Sequence, residues 1–420
     1  MPRKLNRRTF LGHGAAVTAL AGVGPLAGLS RAWAAGGEPI PVGALVPLTG
    51  GGSPYGPNML KALQLTIEDI NGAGGPLGRN IVLYANDSQT SPDAGVAGAQ
   101  KLISINHVVA ILGTWSSAVT LAVIPITLQA GILEMNTSGA PQVTSPANRP
   151  LVFRTQPTDK PYGVVMARYA HQKGYRNVSL MVLNNPYALA VRDAFDAEWK
   201  KLGMSEAPSV VYNPGATSYS GEVGKALSTK PDLIIIAGYT PDASIISKDW
   251  YARDVKTHIM GPGFALNDAF VKNVGANVVE GFYAVDGVPP VGQPGFKAFA
   301  ERFKKAVGAE LADNFWPAQV HDQINLLALA IESAKSVEGK VLAEHMLKVA
   351  KGPGTEVYDF ASGAALLRKG EKINYQGASG PCDFSDEHNV VTDFAVWEIH
   401  GGKRKEVASF SAKDLGSSAA

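Results

Sequence analysis

From residue 40 onward, short apolar runs alternate with amphipathic helical segments, and no other property of the chain narrows its possible folds as much. The predicted strands are 42–47, 81–86, 108–112, 132–136, 178–183, 209–212, 233–237 and 259–261. Several are nearly continuous in Val, Ile and Leu, as in parallel strands covered on both faces. Between them, 59–70 carries Leu60, Leu63, Ile67 and Ile70 at helical spacing. Segments 94–105, 162–172, 188–201 and 243–252 read as helices too. Repeated β-α units with short connections predict an α/β fold of parallel sheets flanked by helices. Two blocks are visible, the first ending near Arg154-Thr155-Gln156-Pro157 and the second near Gly287. Helical patterns at 296–305, 316–335 and 341–350 follow, then strands 392–400 and 403–410 joined by the hairpin dipeptide Gly401-Gly402. These late elements must pack on one block or the other.

The N-terminus has a separate logic. Arg7-Arg8 precede Phe10-Leu11, a stretch rich in Ala, Gly, Val and Leu runs from Gly14 to about Leu29, and Ala32-Trp33-Ala34 offers a small-x-small cleavage pattern. That order is an export signal, and the arginine pair points to the twin-arginine (Tat) export machinery, an address and not an anchor. Pro25 and the glycines at 12, 14, 22, 24 and 28 make the run a poor membrane helix, so stable membrane insertion is not expected. The whole chain has 38 basic and 36 acidic residues; five basic ones lie in residues 1–34, leaving 33 against 36, a net of −3 after cleavage. Such a surface gives no reason to expect nucleic acid as a partner. Cys382 is the sole cysteine, which excludes an internal disulfide, a dithiol redox motif and a Cys-based metal site.

In open α/β sheets ligands bind beyond the carboxyl ends of strands, where helix N-termini present free N–H groups. The residues at those places are Leu48 to Gly56, Gly113-Thr114-Trp115-Ser116-Ser117, Thr137-Ser138-Gly139, Asn184-Asn185-Pro186-Tyr187, Gly238-Tyr239-Thr240 and Gly261-Pro262-Gly263-Phe264. The set is rich in hydroxyls, glycine and aromatics and poor in charge. Each Ser or Thr alone reads as a plain helix cap, and each aromatic alone as packing; their joint appearance at strand ends in both blocks favours a site for a small organic acid with an apolar body. The glycine cluster at 72–78 follows a helix and precedes a strand, the reverse of a dinucleotide fingerprint, and reads as a helix end and turn. There is no Gly-x-Ser-x-Gly elbow or phosphate loop, and the histidines, including His321 and His388, lack metal spacing. Neither catalysis nor a cofactor is expected.

The order of certain pieces along the chain is specific. They are Val42-Gly43-Ala44-Leu45-Val46-Pro47-Leu48-Thr49-Gly50, Tyr55-Gly56, Ile70-Asn71-Gly72-Ala73-Gly74-Gly75, Gly113 to Ser117, Phe153-Arg154-Thr155, Met260-Gly261-Pro262-Gly263, and Ile373 to Pro381 with Asp383-Phe384. Through them the chain resembles, over nearly all of residues 40–400, the Leu/Ile/Val-binding proteins of branched-chain amino-acid ABC transporters. The resemblance implies a two-lobed type I periplasmic binding protein fold with three crossovers. The lobes would hold 38–157 plus 286–365 and 158–285 plus 366–412, with hinges near Pro157, Gly287 and residues 365–375. It further implies a monomeric protein of the periplasm that works with ABC permease and ATPase subunits, or else presents its solute to a receptor or kinase as a sensor. Ser117 and a hydroxyl of Thr137 or Ser138 match the residues that hold the ligand carboxylate. Tyr55 matches a wall residue, and Tyr187 and Tyr239 match aromatics brought in on closure. Trp115, Ser116, Gly263 and Phe264 complete the expected ligand-binding set.

The chain also departs from the resemblance. The amino-acid binders place a glutamate that pairs the ligand's ammonium where this chain has Gly263. A buried ammonium without a carboxylate is costly. The expected ligand is therefore a small carboxylate with an apolar or aromatic tail and no obligatory ammonium, unless Glu134, Asp242 or Asp268 substitutes. The usual Tyr-Gly-x-Gly is Tyr187-Ala188-Leu189-Ala190, the fourth-strand loop is a residue shorter, and the family's first-lobe disulfide is absent.

Overall fold

The runs Val178–Leu183 and Leu233–Ala237 are buried along their whole length. Strands of this kind need cover on both faces, and the computed structural model, which describes residues 37–416, provides it with helices. The export-signal reading of residues 1–34 lies outside the described residues. One sheet consists of β1 (Ile40–Val46), β2 (Ile81–Asp87), β3 (Ala110–Thr114), β4 (Leu133–Asn136) and β5 (Val152–Arg154). Its order is β2-β1-β3-β4-β5, and every pairing is parallel. Between these strands run α1 (Gly56–Gly72), α2 (Pro92–Ser104) and α3 (Ser117–Ala130).

A second sheet begins with β6 (Val178–Leu183), β7 (Ser209–Tyr212), β8 (Leu233–Ala237), β9 (His258–Pro262) and β10 (Tyr283–Gly287), again all parallel. Its helices are α4 (Lys160–Gln172), α5 (Pro186–Lys201), α6 (Ser220–Leu227), α7 (Thr240–Tyr251) and α8 (Asp268–Val274). The chain then forms α9 (Pro294–Val307), α10 (Trp316–Ala334), α11 (Gly339–Ala350), α12 (Phe360–Arg368) and a small sheet of β11 (Thr355–Val357), β12 (Ile373–Gly377) and β13 (Gly380–Pro381). It ends with β14 (Phe394–His400), β15 (Lys403–Phe410) and α13 (Ala412–Leu415). β14 joins the second sheet antiparallel to β10, and β15 follows antiparallel at the edge. The turn between them has Gly401 at φ 56° and Gly402 at φ 76°, the backbone that makes glycine the natural residue there.

The late elements divide. α10 packs on α1, β3 and β4, α11 packs on β4, and β12 packs on α9, α10, α11 and α12, so the late helices and the small sheet join the first lobe. The closing hairpin joins the second. The chain passes between the sheets three times, at 155–159, 288–293 and 382–393. The third passage comes later than the expected 365–375. Residues 366–381 therefore sit with the first lobe and not with the second, because β12 finds its apolar cover on α10 and α11. Among the described residues no helix is long and apolar enough to cross a membrane.

Glu134 sits in the middle of the first lobe, fully buried on β4. Thr114 and Thr127 each donate a hydroxyl hydrogen bond to it at 3.1 Å. Burial pushes its carboxyl up to about 8. A group whose affinity for its proton rises on folding favours the fold below its unfolded pKa of about 4.3 and loses that contribution as pH rises through the folded value. Glu134→Gln, which keeps the shape and removes the titration, is expected to raise Tm at pH 8 and leave it nearly unchanged at pH 5. Thermal melts at the two pH values check this, and an equal shift at both would contradict it.

Candidate functional site

The carboxyl ends of the two parallel sheets meet beside the crossings, and rings arrive there from both sides. Tyr55 caps α1 and Trp115 lies in the loop between β3 and α3. Trp316 opens α10. The second lobe contributes Tyr162 on α4, Tyr187 in the first turn of α5, Tyr239 at the cap of α7, and Phe264 after β9. The Trp115 ring lies 4.9 Å from Tyr239, 5.5 Å from Tyr55, 5.9 Å from Trp316 and 6.2 Å from Phe264. Tyr187 stacks on Tyr239 at 5.4 Å, and Phe264 meets Tyr162 edge-on at 5.6 Å. Tilted, offset and edge-on pairs at such separations are favourable, and burying these faces stabilises contact between the lobes.

Polar groups fix the rings. The Tyr55 hydroxyl donates to the Phe264 carbonyl and accepts from the Asn267 amide, a tie between lobes. Thr240 Oγ1 donates to the same carbonyl at 3.1 Å. Asn185 donates to the Tyr239 hydroxyl at 3.2 Å, with Ser116 beside that hydroxyl, and Tyr187 donates to the Gly238 carbonyl at 2.9 Å. Burial pushes the phenols of Tyr55, Tyr187 and Tyr239 above their usual value, so all three stay neutral donors.

A cavity of about 850 Å³ opens beside these rings, between the lobes. Its wall includes Tyr55, Tyr162, Gly263, Phe264, Asn267, Trp316 and Gln319, with Asp268, Asp286 and Asp313 as acids and Lys272, Lys403 and Arg404 as bases. Of the predicted binding residues, Tyr55, Gly263 and Phe264 stand on this wall. Trp115 packs against both of those aromatics, Tyr239 packs on Trp115, and Tyr187 packs on Tyr239 and Phe264. Ser116, Ser117, Thr137 and Ser138 lie buried off the wall.

The four hydroxyls differ in what they already do. Ser117 Oγ accepts from the Ala140 N–H at 3.1 Å. Ser138 Oγ lies against Thr120 Oγ1 and within 3.2 Å of the Thr114 and Trp115 carbonyls, so its capacity is met inside the first lobe. Thr137 Oγ1 and the Trp115 indole N–H are buried with no protein partner among the described residues. A buried donor without an acceptor is costly, which marks these two, together with the equally unpartnered Nε of Arg404 on the cavity wall, as groups with capacity for a ligand oxygen. Of the Thr137 and Ser138 hydroxyls, that of Thr137 is the one without a protein partner among the described residues.

The candidate acids also separate. Glu134 is locked between its threonines. Asp242 accepts from the Tyr239 N–H at 3.0 Å and from the Tyr212 hydroxyl, which makes it a cap for α7; burial pushes it up to about 6. Asp268 is on the cavity wall. Tyr162, Asp286 and Trp316 are among the wall residues outside the predicted set. Tyr162 and Trp316 sit near helix starts, and Asp286 interrupts the apolar run of β10, so none carries a local signal.

Against known proteins, the profile of the periplasmic binding protein family matches residues 39–404. Among curated relatives, a chemotactic signal transduction system substrate-binding protein, BasB of Halobacterium salinarum, is 25% identical, over 86% of this chain and 87% of its own. The Leu/Ile/Val-binding protein BraC3 of Rhizobium johnstonii is 25% identical over 74% of this chain and 84% of its own. Among solved structures, the leucine-binding protein LivK of Thermotoga maritima superposes with a TM-score of 0.77 at 24% identity, covering 90% of this chain and all of that one (100%). With the parallel strands of both sheets, the late helices and β14 falling within the matched span, the chain belongs to the periplasmic binding proteins of the Leu/Ile/Val-binding type.

Proposed function

We propose that this protein captures a small carboxylate-bearing organic solute between its lobes, an amino acid or an aromatic or aliphatic acid, and delivers it to the permease and ATPase subunits of an ABC importer. The observation that carries the reading is the ring cluster contributed by both lobes around Trp115, bordered by the unpartnered donors Trp115 Nε1 and Thr137 Oγ1. Rings supply apolar walls, and two donors without acceptors suit a carboxylate. Tyr55, Trp115, Tyr187, Tyr239 and Phe264 form the walls; Thr137, with Ser116 and Ser117 at the start of α3, receives the carboxylate. Binding works by differential contact: a solute that touches both lobes at once favours their closed arrangement. The chain acts without catalysis, as a monomer, after export to the periplasm by the twin-arginine route. A sensory role is the second reading, favoured by the name of the relative BasB, and capture of the permease or of a receptor by the loaded protein distinguishes the two.

A thermal-shift panel of branched-chain and aromatic amino acids, benzoate-type and phenylpropenoate acids, short dicarboxylates and small amides tests the solute class. A ligand at about a hundred times its Kd adds about 2.7 kcal/mol, a rise of several degrees. A panel in which only amides shift the melt would count against the carboxylate reading. Tyr239→Ala is expected to weaken binding of the identified solute by more than about tenfold, since it strips a ring shared with Trp115 and Tyr187. Calorimetric titration with circular dichroism checks it; an unchanged Kd in a folded variant would remove Tyr239 from the site.

A further inference from the structure

The first crossing is laced to α10 by side-chain amides. Gln319 Nε2 donates to Gln156 Oε1 at 2.5 Å, and one turn further along α10 Gln323 Nε2 donates to Thr155 Oγ1 at 3.0 Å. Thr155 Oγ1 in turn donates to the Gln319 carbonyl at 3.2 Å. Gln156 and Gln319 are only 5% and 2% exposed, yet both stand on the wall of the interlobe cavity; Gln323 lies off it. The bond between the first two uses half of what they offer. Gln319 Oε1 is buried without a partner, and Gln156 Nε2 takes none in the protein among the described residues. Turning both amides over would exchange the roles of the two residues and change nothing else: one carbonyl oxygen and one NH2 group stay unmet.

Unmet amide groups at such depth are costly, and hydrocarbon laid over them leaves the cost in place. A carboxylate satisfies the NH2 group but has nothing to donate to the carbonyl. An ammonium satisfies the carbonyl but has nothing to accept with. A carboxamide meets both, since its own N–H donates to one member of the pair while its C=O accepts from the other. The charged groups of the wall stand on other elements: Asp268 and Lys272 on α8, Asp286 on β10, Lys403 and Arg404 on β15, and Asp313 just ahead of α10. The lacing through Thr155 holds both amides against α10, so the subsite is preorganised.

We infer that Gln156 and Gln319 form a second polar subsite that reads the end of the solute away from its carboxylate, and that this end carries a carboxamide. The inference rests on the proposed capture of a carboxylate-bearing solute in this cleft and adds the chemistry of the other end. Trp115, one of the two donors assigned to the carboxylate, meets Trp316 edge-on at 5.9 Å, and Gln319 follows Trp316 by one turn of α10. A solute that spans the two polar places therefore lies along the Trp316 ring, with an apolar middle suited to that surface.

The test uses calorimetric titration with acids matched in shape: 4-carbamoylbenzoate, 4-acetylbenzoate, 4-isopropylbenzoate and terephthalate, then glutaramate against 5-methylhexanoate as the same comparison without a ring, and benzamide as an amide lacking the carboxylate. In the protein as it stands, the carboxamide of at least one scaffold is expected to bind about tenfold or more tightly than its apolar match, the order of one hydrogen bond donated and one accepted. The acetyl compound, which accepts but cannot donate, should fall between. Gln319→Met and Gln156→Met should each bring the ratio to within about threefold of unity, and circular dichroism confirms which variants fold, so that either one decides if the other does not. Equal binding of carboxamide and apolar acid, an acetyl compound as tight as the carboxamide, or terephthalate as the tightest of the series overturns the inference and leaves the carboxylate reading standing. Variants that weaken every acid alike and keep the ratio also overturn it, since the pair then only braces the crossing. Benzamide bound as tightly as 4-carbamoylbenzoate upholds the amide pair and overturns the carboxylate reading, and absence of binding in every arm counts against both.

Discussion

Arg154 is fully buried, and the loop after β4 and the start of the third crossing are both positioned through it. Its Nε and Nη2 donate to Asn389 Oδ1 at 2.9 and 2.7 Å, its Nη1 to the carbonyls of Ser138 and Ala140 at 3.0 and 2.9 Å, and its Nη2 also to Thr144 Oγ1 at 2.6 Å. One rigid fork of donors thereby fixes the loop after β4, which carries Thr137, and pins the third crossing to the first lobe. Burial holds the guanidinium down to about 10, with Asp159 and Glu387 opposing, so it remains charged at neutral pH. The backbone reinforces the tie: the Arg154 N–H donates to the His388 carbonyl at 3.1 Å, and the His388 ring stacks on Phe153 at 4.2 Å. What can bend in the third crossing is therefore the short stretch after Asn389, where Val288 N–H pairs with the Asp393 carbonyl and couples it to the second crossing.

The parts of this fold that could be read from the sequence are those where burial dictates composition. β6 and β8 agree with the predicted 178–183 and 233–237 because strands covered on both faces tolerate little besides branched apolar residues, and β7 agrees with 209–212 although it lies at the sheet edge with Val211 exposed. The unpredicted elements each carry a polar or breaking residue for a tertiary reason. β5 is three residues long and includes Arg154, whose partners come from as far away as Asn389. β10 ends in Asp286-Gly287, set by the cavity. α3 contains Pro125 and is apolar on most sides, so it shows no face periodicity; its cover comes from α2 and β4. The small sheet of β11 to β13 follows from packing on α10, which no local pattern encodes.

The site divides along the same line. The rule that ligands lie beyond strand ends pointed to Tyr55, Trp115, Tyr187, Tyr239, Gly263 and Phe264, which the structure brings to the ring cluster and cavity wall, since it needs only the strand positions. It could not find Trp316, which reaches the cluster because α10 packs on α1, or Tyr162, whose place is set by the first crossing. It could not rank Thr137 over Ser138 either, because the difference is a matter of partners: Ser138 is satisfied by residues 18 to 24 positions away.

The glycine at 263 shows why a missing side chain and a missing charge are different statements. Read along the chain, Gly263 removes a charge from the site. Read in space, it makes room for one, because the residue that fills the volume beside it belongs to the next strand over, with Gly263 N–H bonded to the Val285 carbonyl at 2.6 Å and Asp286 following directly. Parallel pairing of β9 and β10 brings the ends of both strands to the same wall, so an acid can move between neighbouring strand ends while the cavity keeps its charge. What is coupled is the pair: the Asp286 carboxylate holds its present place only beside a residue at 263 that has no Cβ. The charge lining this wall is therefore a property of adjacent strand ends taken jointly, and a substitution at either position has to be judged against the occupant of the other.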